Sequence, residues 1–344
     1  MKIGIVTVYE GLTNLGSYLQ AHALQTVLQE MGHEVFFIEK EPTWKAVSRC
    51  VCRLNPKREF LLRFQKCGKY LNAKRLLRSI PAERMEQENI DCLIYGSDEI
   101  WNMDNPYFKD PLFWGRAPES IPKIGYAVSV GAMAEETLAN HHDIACGAQT
   151  FKEILVRDMR TRDMIGRLVG RDLPLVCDPT FLLPVEKQQK PIKAPKEKYL
   201  LVYTYGVDKP MEEHIVRFAR ERGLRIVSPC FWHPWCDKVV ECEPLQFGTL
   251  IQQAEYVFTS TFHGAIFTML NHKKCVILPA RSKVRDVVER MGLTSWLISA
   301  DMSYEGFVEV MERPFPKDVF EENRQVSCRV SKTRLEEVLR CLEQ

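Results

Sequence analysis

Apolar runs of strand length alternate with helically spaced apolar positions from the first residue. "KIGIVTV" is followed by Leu19, Ala23 and Val27 at helical spacing, then by Gly32 as a helix C-cap and by the apolar run "EVFFI". This order of strand, helix and strand predicts a βαβ unit at the start of the chain.

The same alternation continues through both halves of the chain. "DCLIY", "IGYAVSV", "EILVRD" and "LPLVCDP" are further strand candidates, with helical patterns between several of them, so the first half predicts a parallel α/β sheet. The alternation restarts with "YLLVYTY", a helix over 209–223, "LRIVS", a strand ending at Ser260, and "CVILP". The fold class predicted is therefore α/β, with two Rossmann-like domains that face a central cleft.

The length of 344 residues exceeds what one hydrophobic core usually supports, so two domains are expected. Residues 186–198 lie in a stretch rich in proline and lysine that has no periodicity, which predicts a linker. We therefore predict an N-terminal domain over 1–185 and a C-terminal domain over 199–344, whose last helix packs back on the first domain. Ligands of α/β proteins usually bind at the carboxyl ends of the strands.

Positive charge is concentrated in one segment, residues 43–84. It holds twelve Lys and Arg against two Glu, a local net charge of +10, so the rest of the chain sums to −8 for an overall +2. Interleaved apolar residues make this insertion partly amphipathic, which suits a surface facing anionic lipid or phosphate. A solvated helical insertion explains the pattern equally well. No nucleic-acid recognition module accompanies the charge, so a nucleic-acid partner is not expected.

The remaining composition is that of an ordinary soluble protein. The N-terminus predicts a strand and not a signal peptide, and no apolar run is long enough to span a membrane. We therefore expect a cytoplasmic location, with peripheral contact at the inner face of the membrane through 43–84. The twelve cysteines are scattered, which favours buried, reduced thiols. Cys230, His233, Cys236 and Cys242 form one cluster, but its spacing matches no standard zinc pattern, and an aromatic-packed loop is the favoured interpretation.

The stretch "VFTSTFHGAIFTML" predicts a buried strand that turns directly into a helix. Ser260 and Thr261 supply hydroxyl groups at the turn, His263 follows them, and Gly264 comes next. The start of a helix is a natural anion site, because its first N–H groups lack intrahelical partners and the helix dipole is positive there. At this point His263 is able to bind an anion, to move a proton or simply to pack.

Two loops of the first half are candidates for contact with a sugar. In "YEGLTNLGSYLQ", Asn14 and Gly16 suit a tight turn, and Gln20 points toward the cleft from the first helical turn. The alternative is an ordinary polar loop, and the absence of a GxGxxG pattern gives no indication of a dinucleotide.

The second of these loops is "YGSDEIWN". Asp98 is suited to accept a proton from a sugar hydroxyl, Asn102 to bind another hydroxyl, and Trp101 to offer a flat apolar face to the ring. A structural role, with Asp98 as a cap and Trp101 in the core, explains the same pattern.

Cations follow two further strands. Arg157 ends the apolar run of "ILVRDMRTRD", where a buried guanidinium needs an anion or a carboxylate such as Asp158. Arg281, Lys283 and Arg285 mark another strand-to-helix transition in "PARSKVRDVVERMGL". Several cations and two helix N-termini converging on one cleft predict a small, multiply charged anion as substrate.

Six of these segments together resemble the polysaccharide pyruvyl transferase family. "NLGSYLQAHALQTVLQEMGHEV" is similar to the family's N-terminal signature, and "IYGSDEIWN" is similar to its GSD-containing segment. "VRD", "CDPTFLL", "TSTFHGAIF" and "SKVRDVVERMGL" follow in the family's order, so the resemblance runs from residue 1 to about 295.

The resemblance implies a fold like that of the GT-B glycosyltransferases and transfer of a pyruvyl group from phosphoenolpyruvate to a sugar of a cell-surface glycan. It implies a pyruvate ketal as product, as in capsule or exopolysaccharide biosynthesis, with phosphoenolpyruvate as co-substrate. The reaction requires no metal or other cofactor and nothing in the sequence demands one, so none is expected. The resemblance implies His263 as a catalytic residue. From their positions in the two loops we add Asp98 as a catalytic residue and predict acceptor binding by Asn14, Gly16, Gln20, Trp101 and Asn102. The donor-binding residues are Arg157, Ser260, Thr261, Gly264, Arg281 and Lys283. Some family members carry arginine where this chain has Thr261, so the cation that meets the donor carboxylate stays open among Arg157, Arg281 and Lys283.

Two other functions remain alternatives. One is a GT-B glycosyltransferase that uses a nucleotide sugar, although the sequence shows no recognisable site for a base and ribose. The other is a non-catalytic member that binds glycan. The expected binding partner under all three hypotheses is a glycan or a lipid-linked oligosaccharide.

Overall fold

The computed structural model describes residues 1–9, 14–41, 45, 48, 68–69, 71–193 and 195–343. They form two compact units. As far as its residues are described, the first unit takes in 1–63, 70–183 and 326–344, and the second takes in 64–69 and 184–325. Each unit is built on a parallel β-sheet, which confirms the predicted α/β class.

The first unit contains a six-stranded sheet in which every neighbouring pair is parallel, with the strand order β3-β2-β1-β4-β5-β6. Ile3 and Ile5 of its central strand are fully buried, as expected where helices cover both faces of a parallel sheet. The strands are β1 Lys2–Val6, β2 Glu34–Glu39, β3 Ser79–Pro81, β4 Cys92–Tyr95, β5 Lys123–Val128 and β6 Glu153–Val156.

Helix α1, Leu15–Glu30, begins where Asn14 caps it. The side-chain oxygen of Asn14 accepts the N–H groups of Gly16 at 3.1 Å and Ser17 at 3.3 Å. Leu19 and Leu28 on its inner face are fully buried, and Gly32 follows the helix with φ +89°, a conformation that glycine adopts without steric cost. The predicted βαβ unit is thereby confirmed.

The other helices before residue 184 are short, apart from the one that follows β6. They are α2 Glu135–Asn140, α3 His142–Ala145, α4 Met159–Val169 and α5 Pro179–Leu182. Turns of 3₁₀ helix lie at Ala82–Arg84, Pro106–Lys109, Pro111–Trp114 and Cys146–Thr150.

One predicted strand is wrong. The run "LPLVCDP" forms only an isolated parallel bridge, between Leu175 and Val156. The N–H of Val176 is donated to the carbonyl of Val156 at 2.8 Å, but the N–H of Cys177 is donated to the hydroxyl of Ser331 at 2.8 Å instead of to a strand. Pro174 carries no N–H group to donate, so the segment cannot complete a ladder.

The second unit contains a five-stranded parallel sheet with the order β11-β10-β7-β8-β9. Its strands are β7 Tyr199–Tyr203, β8 Arg225–Pro229, β9 Lys238–Val240, β10 Tyr256–Thr259 and β11 Cys275–Ile277. Its helices are α6 Lys209–Glu221, α7 Pro244–Gln253, α8 Phe262–Leu270, α9 Ser282–Arg290 and α10 Tyr304–Glu312, with 3₁₀ turns at Val185–Gln188 and Thr294–Trp296.

The stretch predicted to be a linker, residues 186–198, belongs to the second unit. The backbone of Lys190 donates its N–H to the carbonyl of Leu245 at 2.8 Å and accepts the hydroxyl of Thr249 at 2.8 Å. The side chain of Gln188 is fully buried. The first part of this stretch is therefore fixed against α7.

The long helix α11, Lys317–Leu342, begins in the second unit and ends in the first. Within the first unit its Leu335 and Leu339 are 0% and 2% exposed, and its Ser331 hydroxyl accepts the N–H of Cys177. Residues 326–342 therefore complete the core of a unit whose other residues come from the first half of the chain.

Most of the basic insertion lies outside the described residues, namely 43–44, 46–47, 49–67 and 70. The prediction of membrane contact through 43–84 falls largely on them. Two cations of the described part are paired: Lys74 with Glu39, and Arg78 with Glu34 at 3.3 Å. Among the helices that are described, none has the length and apolar character needed to cross a membrane.

Candidate functional site

A ladder of hydroxyl groups organises the junction between β10 and α8. The hydroxyl of Thr259 donates to the carbonyl of Tyr203 at 2.8 Å and accepts the N–H of Thr261 at 3.2 Å. Thr261 in turn caps α8, because its hydroxyl accepts the N–H of Gly264 at 3.1 Å. The turn between strand and helix is thus held rigidly by side chains that the sequence places there.

Ser260 faces a neighbouring strand end. Its hydroxyl lies 2.6 Å from that of Thr204, the residue directly after β7, and the two residues are buried. Since β7 and β10 are adjacent in the sheet, this pair joins two carboxyl ends at one edge. The predicted hydroxyl-lined edge is therefore present.

His263 is the second residue of α8 and is 6% exposed. Its ring meets that of Phe262 edge to face, with centroids 5.2 Å apart. The ammonium group of Lys283 lies 5.1 Å from the centre of the Phe262 ring. A histidine, a cation and a helix N-terminus are therefore close together at the same edge of the second sheet.

Gly264 has no space for a side chain. A Cβ atom on this residue would lie 2.1 Å from the hydroxyl oxygen of Thr259 and 2.5 Å from that of Thr261. Its N–H group is already donated to Thr261. Gly264 therefore contributes to the site by letting the helix backbone lie close to the hydroxyl groups of Thr259 and Thr261. Glycine is required here by the hydroxyl ladder.

Replacing Gly264 with alanine is expected to lower the free energy of unfolding by about 1–3 kcal/mol, the usual range for an overpacked site. The matched control is Gly306→Ala. Gly306 is also the third residue of a helix whose cap, Ser303, accepts its N–H, but its Cβ would meet the flexible Met302 side chain at 3.2 Å and the Ser303 hydroxyl at an ordinary 3.5 Å. Chemical denaturation of both variants tests this, and equal stabilities would contradict the steric argument.

Two further cations lie at the next strand end. Arg281 is exposed at the position before α9, and Lys283 is half-buried in the first turn of that helix. The helix follows β11, which is the neighbour of β10 in the sheet. Among the predicted donor-binding residues, the second unit thus contains Ser260, Thr261, Gly264, Arg281 and Lys283.

Arg157 lies in the first unit, directly after β6, and is engaged by carboxylates. Its guanidinium is 3.0 Å from Asp178 and 3.5 Å from Asp98, and all three side chains are buried. Burial alone would lower the pKa of Arg157, but the charges of Asp98, Asp178, Asp158 and Glu99 outweigh burial and raise this pKa. The predicted partner Asp158 instead caps α4 by accepting the N–H of Thr161 at 2.9 Å.

Asp98 occupies a backbone conformation that is rare for a residue other than glycine, with φ +86°. One oxygen of its carboxylate accepts the N–H of Glu99 at 2.8 Å and faces Arg157. Asn102, which is 9% exposed, donates to Glu99 at 3.3 Å and accepts the N–H of Asp104 at 3.2 Å. Both side chains therefore already have protein partners.

The buried position of Trp101 contradicts the prediction that it offers a face to a sugar. Its side chain is fully buried, it stacks on Trp114 with ring centroids 5.3 Å apart, and its indole N–H is donated to the carbonyl of Phe113 at 2.8 Å. The apolar residues on either side of it explain this placement, because Ile100 and Met103 belong to the same core. Trp101 is a core residue.

Gln20 does not extend into open space either. Its fully buried amide donates to the carbonyls of Val8 at 2.9 Å and Ser17 at 2.7 Å, and accepts the hydroxyl of Ser97 at 2.8 Å. It therefore ties the residues after β1 and β4 to the start of α1. Asn14 caps the helix and Gly16 is buried in its first turn. These two predicted acceptor residues, like Gln20, therefore hold the loop in place through contacts inside the protein.

Sequence reasoning missed three residues. Asp178, the main partner of Arg157, was visible only as part of "CDPTF", where it also caps α5 by accepting the N–H of Thr180 at 3.1 Å. Thr204 gave no signal, because a single threonine after a strand is common. His233 was noted only as a member of the cysteine-rich cluster.

That cluster contains a thiol pair. The sulfur atoms of Cys230 and Cys242 are 3.6 Å apart, and both residues are buried. The contact with Cys230, together with burial, raises the pKa of Cys242 well above its ordinary value. No group of three His, Cys, Asp or Glu suited to hold a metal ion occurs in the part of the chain that the structure describes.

The carboxyl edge of the first sheet contains a small cavity of about 40 Å³. It lies where β1 and β2 end. Tyr9 donates its hydroxyl to Glu39 at 3.1 Å on one side. On the other side the ammonium group of Lys40 lies 4.3 Å from the centre of the Tyr107 ring. Aromatic rings and a carboxylate thus border the space at this edge.

Solved structures similar to this chain identify the fold. The UDP-GlcNAc 2-epimerase from Neisseria meningitidis, bound to UDP-GlcNAc, has a TM-score of 0.58 at 11% identity, over 99% of this chain and 100% of that one. The UDP-GlcNAc 2-epimerase from Methanocaldococcus jannaschii has a TM-score of 0.59 at 12% identity, over 98% and 99%. Spinosyn forosaminyltransferase SpnP has 0.51 at 12% identity, over 100% of each chain. The fold is therefore the GT-B fold of glycosyltransferases and related epimerases.

A comparison with curated proteins found no match. The profile of the polysaccharide pyruvyl transferase family, in contrast, matches residues 14–281. This chain belongs to the polysaccharide pyruvyl transferase family.

Proposed function

We propose that this protein transfers a pyruvyl group from phosphoenolpyruvate to a sugar of a cell-surface polysaccharide or of its lipid-linked precursor, forming a pyruvate ketal. Membership of the family supports a transferase that acts on a glycan. The observation that carries the proposal is the position of His263, buried at the start of α8 beside the Ser260 and Thr261 hydroxyls and near Lys283.

The second unit is proposed to hold the donor. Phosphoenolpyruvate carries a phosphate and a carboxylate, and cations at the ends of neighbouring strands suit such an anion. Lys283 and Arg281 supply positive charge, and the hydroxyls of Ser260 and Thr261 supply hydrogen bonds. Arg157 is a weaker candidate for the donor carboxylate, because Asp98 and Asp178 already neutralise it.

His263 is proposed as the general acid. The C2 atom of phosphoenolpyruvate becomes electrophilic when its methylene carbon is protonated, and a sugar hydroxyl then attacks C2. This scheme requires no metal and no organic cofactor, so we propose phosphoenolpyruvate as the sole co-substrate besides the sugar.

The acceptor is proposed to bind the first unit at the carboxyl ends of β1 and β2. Aromatic rings that cover the apolar face of a sugar and carboxylates that bind its hydroxyls are the groups expected at such a site. Tyr9, Tyr107 and Glu39 border the cavity there, and they replace Trp101 as candidates for contact with the sugar.

Phosphate release tests the proposal. The protein is incubated with phosphoenolpyruvate and a panel of nitrophenyl hexopyranosides and N-acetylhexosaminides, and products are analysed for a pyruvate ketal by mass spectrometry. Phosphate release together with a pyruvylated sugar supports it. Transfer of a sugar from UDP- or dTDP-sugars to the same panel would instead establish a glycosyltransferase. Failure to bind phosphoenolpyruvate in calorimetry would contradict the proposal without depending on the acceptor.

We also propose peripheral contact with the inner face of the membrane through 43–84. The full chain is expected to sediment with vesicles rich in anionic lipid at low salt, because each cation near such a surface contributes about 1 kcal/mol. Salt should weaken this binding. Neutral phosphatidylcholine vesicles are the control. A variant with glutamine at six of the cations should stay in the supernatant, and equal binding would refute the idea; the six are Arg49, Arg53, Lys57, Arg58, Arg63 and Lys66.

A further inference from the structure

The loop between β8 and β9 covers the end of the central strand of the second sheet. Its Phe231 packs against Tyr203 and Tyr205, with ring centroids 5.4 Å and 5.2 Å away. Tyr203 is the last residue of β7, and β8 is the neighbour of β7 in the sheet. The loop therefore lies at the same carboxyl edge as the junction of β10 with α8.

His233 in this loop is 9% exposed. Its ring stacks on Trp235, with centroids 5.1 Å apart and planes 24° apart, and it makes a hydrogen bond with the backbone of Thr204. Its Nε2 atom is buried, and no residue of the described chain forms a hydrogen bond with that atom. A buried polar atom left without a partner is unfavourable unless a ligand or an ordered water completes it.

Thr204 connects this ring to the candidate site. Its backbone interacts with His233, and its hydroxyl lies 2.6 Å from that of Ser260, three residues before His263. In the sheet, β7 lies between β10 and β8. His233 thus reaches the residue after β7 from the side of β8, and Ser260, at the junction of β10 with α8, reaches the same residue from the other side.

The environment of His233 favours a neutral ring. Burial is the largest influence and lowers the pKa of His233, and the Thr204 backbone and the charge of Glu212 offset this only in part. A neutral imidazole whose other nitrogen donates to a carbonyl presents a lone pair on Nε2. Such a lone pair repels phosphate and carboxylate, and it binds a hydroxyl group.

We propose that His233 is a further catalytic residue, whose Nε2 atom accepts the proton of the attacking sugar hydroxyl. This inference rests on the function proposed above. Asp98 is less suited to the task, because its carboxylate is held by the Glu99 N–H and by Arg157.

His263 gives a proton to the methylene carbon of phosphoenolpyruvate, and the bond between C2 and the first hydroxyl oxygen forms while His233 takes that hydroxyl's proton. The bond from C2 to the phosphate oxygen then breaks with its electron pair going to phosphate, which leaves an oxocarbenium ion at C2. The second hydroxyl attacks C2, and phosphate takes up the proton of that hydroxyl. Solvent returns both histidines to their starting states.

Two variants of His233 separate this role from packing. His233→Gln keeps a polar group near Nε2 but cannot take up a proton, whereas His233→Phe keeps only the ring stacked on Trp235. Both are expected to lower kcat by about 100-fold, the usual scale for a lost general base, with an unchanged KM for phosphoenolpyruvate. Trp232→Phe, at a residue of the same loop that is 43% exposed, is the control and should leave kcat unchanged.

The outcomes distinguish this inference from the proposed function. Ketal formation by the wild type and near wild-type kcat in His233→Gln would overturn the role of His233 alone. Absence of phosphoenolpyruvate binding by the wild type would overturn both. If the two variants fail to fold, nitrogen NMR of the unaltered protein replaces them. The His233 Nε2 resonance should then shift when a pyruvylated nitrophenyl hexopyranoside made by the enzyme is added, and an unchanged resonance would refute the contact.

Discussion

The His263→Gln variant is expected to fold normally, to bind phosphoenolpyruvate and to lose turnover by roughly 100-fold or more. The loss has this size because a positioned general acid usually contributes about 10²–10⁴-fold to the rate. The hydroxyl ladder of Thr259 and Thr261, which forms the turn, does not involve the imidazole and should survive the change. Calorimetric titration with phosphoenolpyruvate and steady-state phosphate release measure the two quantities separately.

The control for this variant is His142→Gln. His142 is exposed at the start of α3 in the first unit, so the same chemical change there should leave turnover unaltered. A folded His263→Gln protein with near wild-type turnover would assign His263 to packing against Phe262. The proton donor would then have to be another residue of the second unit.

The Asp178→Ala variant is expected to lower the free energy of unfolding by about 3–5 kcal/mol. The change removes the shorter of two carboxylate contacts of the Arg157 guanidinium, which is 4% exposed, and keeps the 3.5 Å contact with Asp98. Losing one partner of a buried ion pair is strongly destabilising. The change also removes the cap of α5, since the Asp178 carboxylate accepts the N–H and hydroxyl of Thr180. Urea denaturation followed by circular dichroism measures the loss.

An exposed pair of the same chemistry is the control. Arg162 and Asp172 lie 2.8 Å apart, but the side chain of Asp172 is 77% exposed. Asp172→Ala should leave stability almost unchanged, because solvent screens exposed ion pairs. If the two variants lost equal amounts of stability, burial would not be what makes the Arg157 pair important.

The sequence was sufficient to predict the helices and strands whose apolar pattern extends over many residues. The pattern in β1, α1 and β2 persists over whole turns and strands, and each of these elements forms as predicted. Shorter elements were not predicted. Three-residue strands such as Ser79–Pro81 and Lys238–Val240 are too short to show a periodic alternation of apolar and polar residues. "LPLVCDP" was predicted as a strand but forms only one bridge, because Pro174 has no N–H group and the Cys177 N–H bonds to Ser331.

Side-chain roles were harder to predict than the elements that carry them. Positions in a β-α loop fix which edge of the sheet a residue approaches, and this placed Ser260, Thr261 and His263 at one edge correctly. They do not fix whether a side chain points outward. Trp101 lies in the core because its ring buries a large apolar area there. Arg157 pairs with Asp178, a residue too distant in the sequence to be recognised as its partner.

The path of α11 between the units sets an order for folding during synthesis. The second unit is nearly contiguous in sequence, whereas the first needs Leu335 and Leu339 to close its core. Domains generally fold as units while the chain emerges from the ribosome. The unit made first therefore waits with part of its apolar surface uncovered until residues 326–342 emerge, and the unit made later is free to fold before it. The unit whose residues are made first is therefore the one completed last.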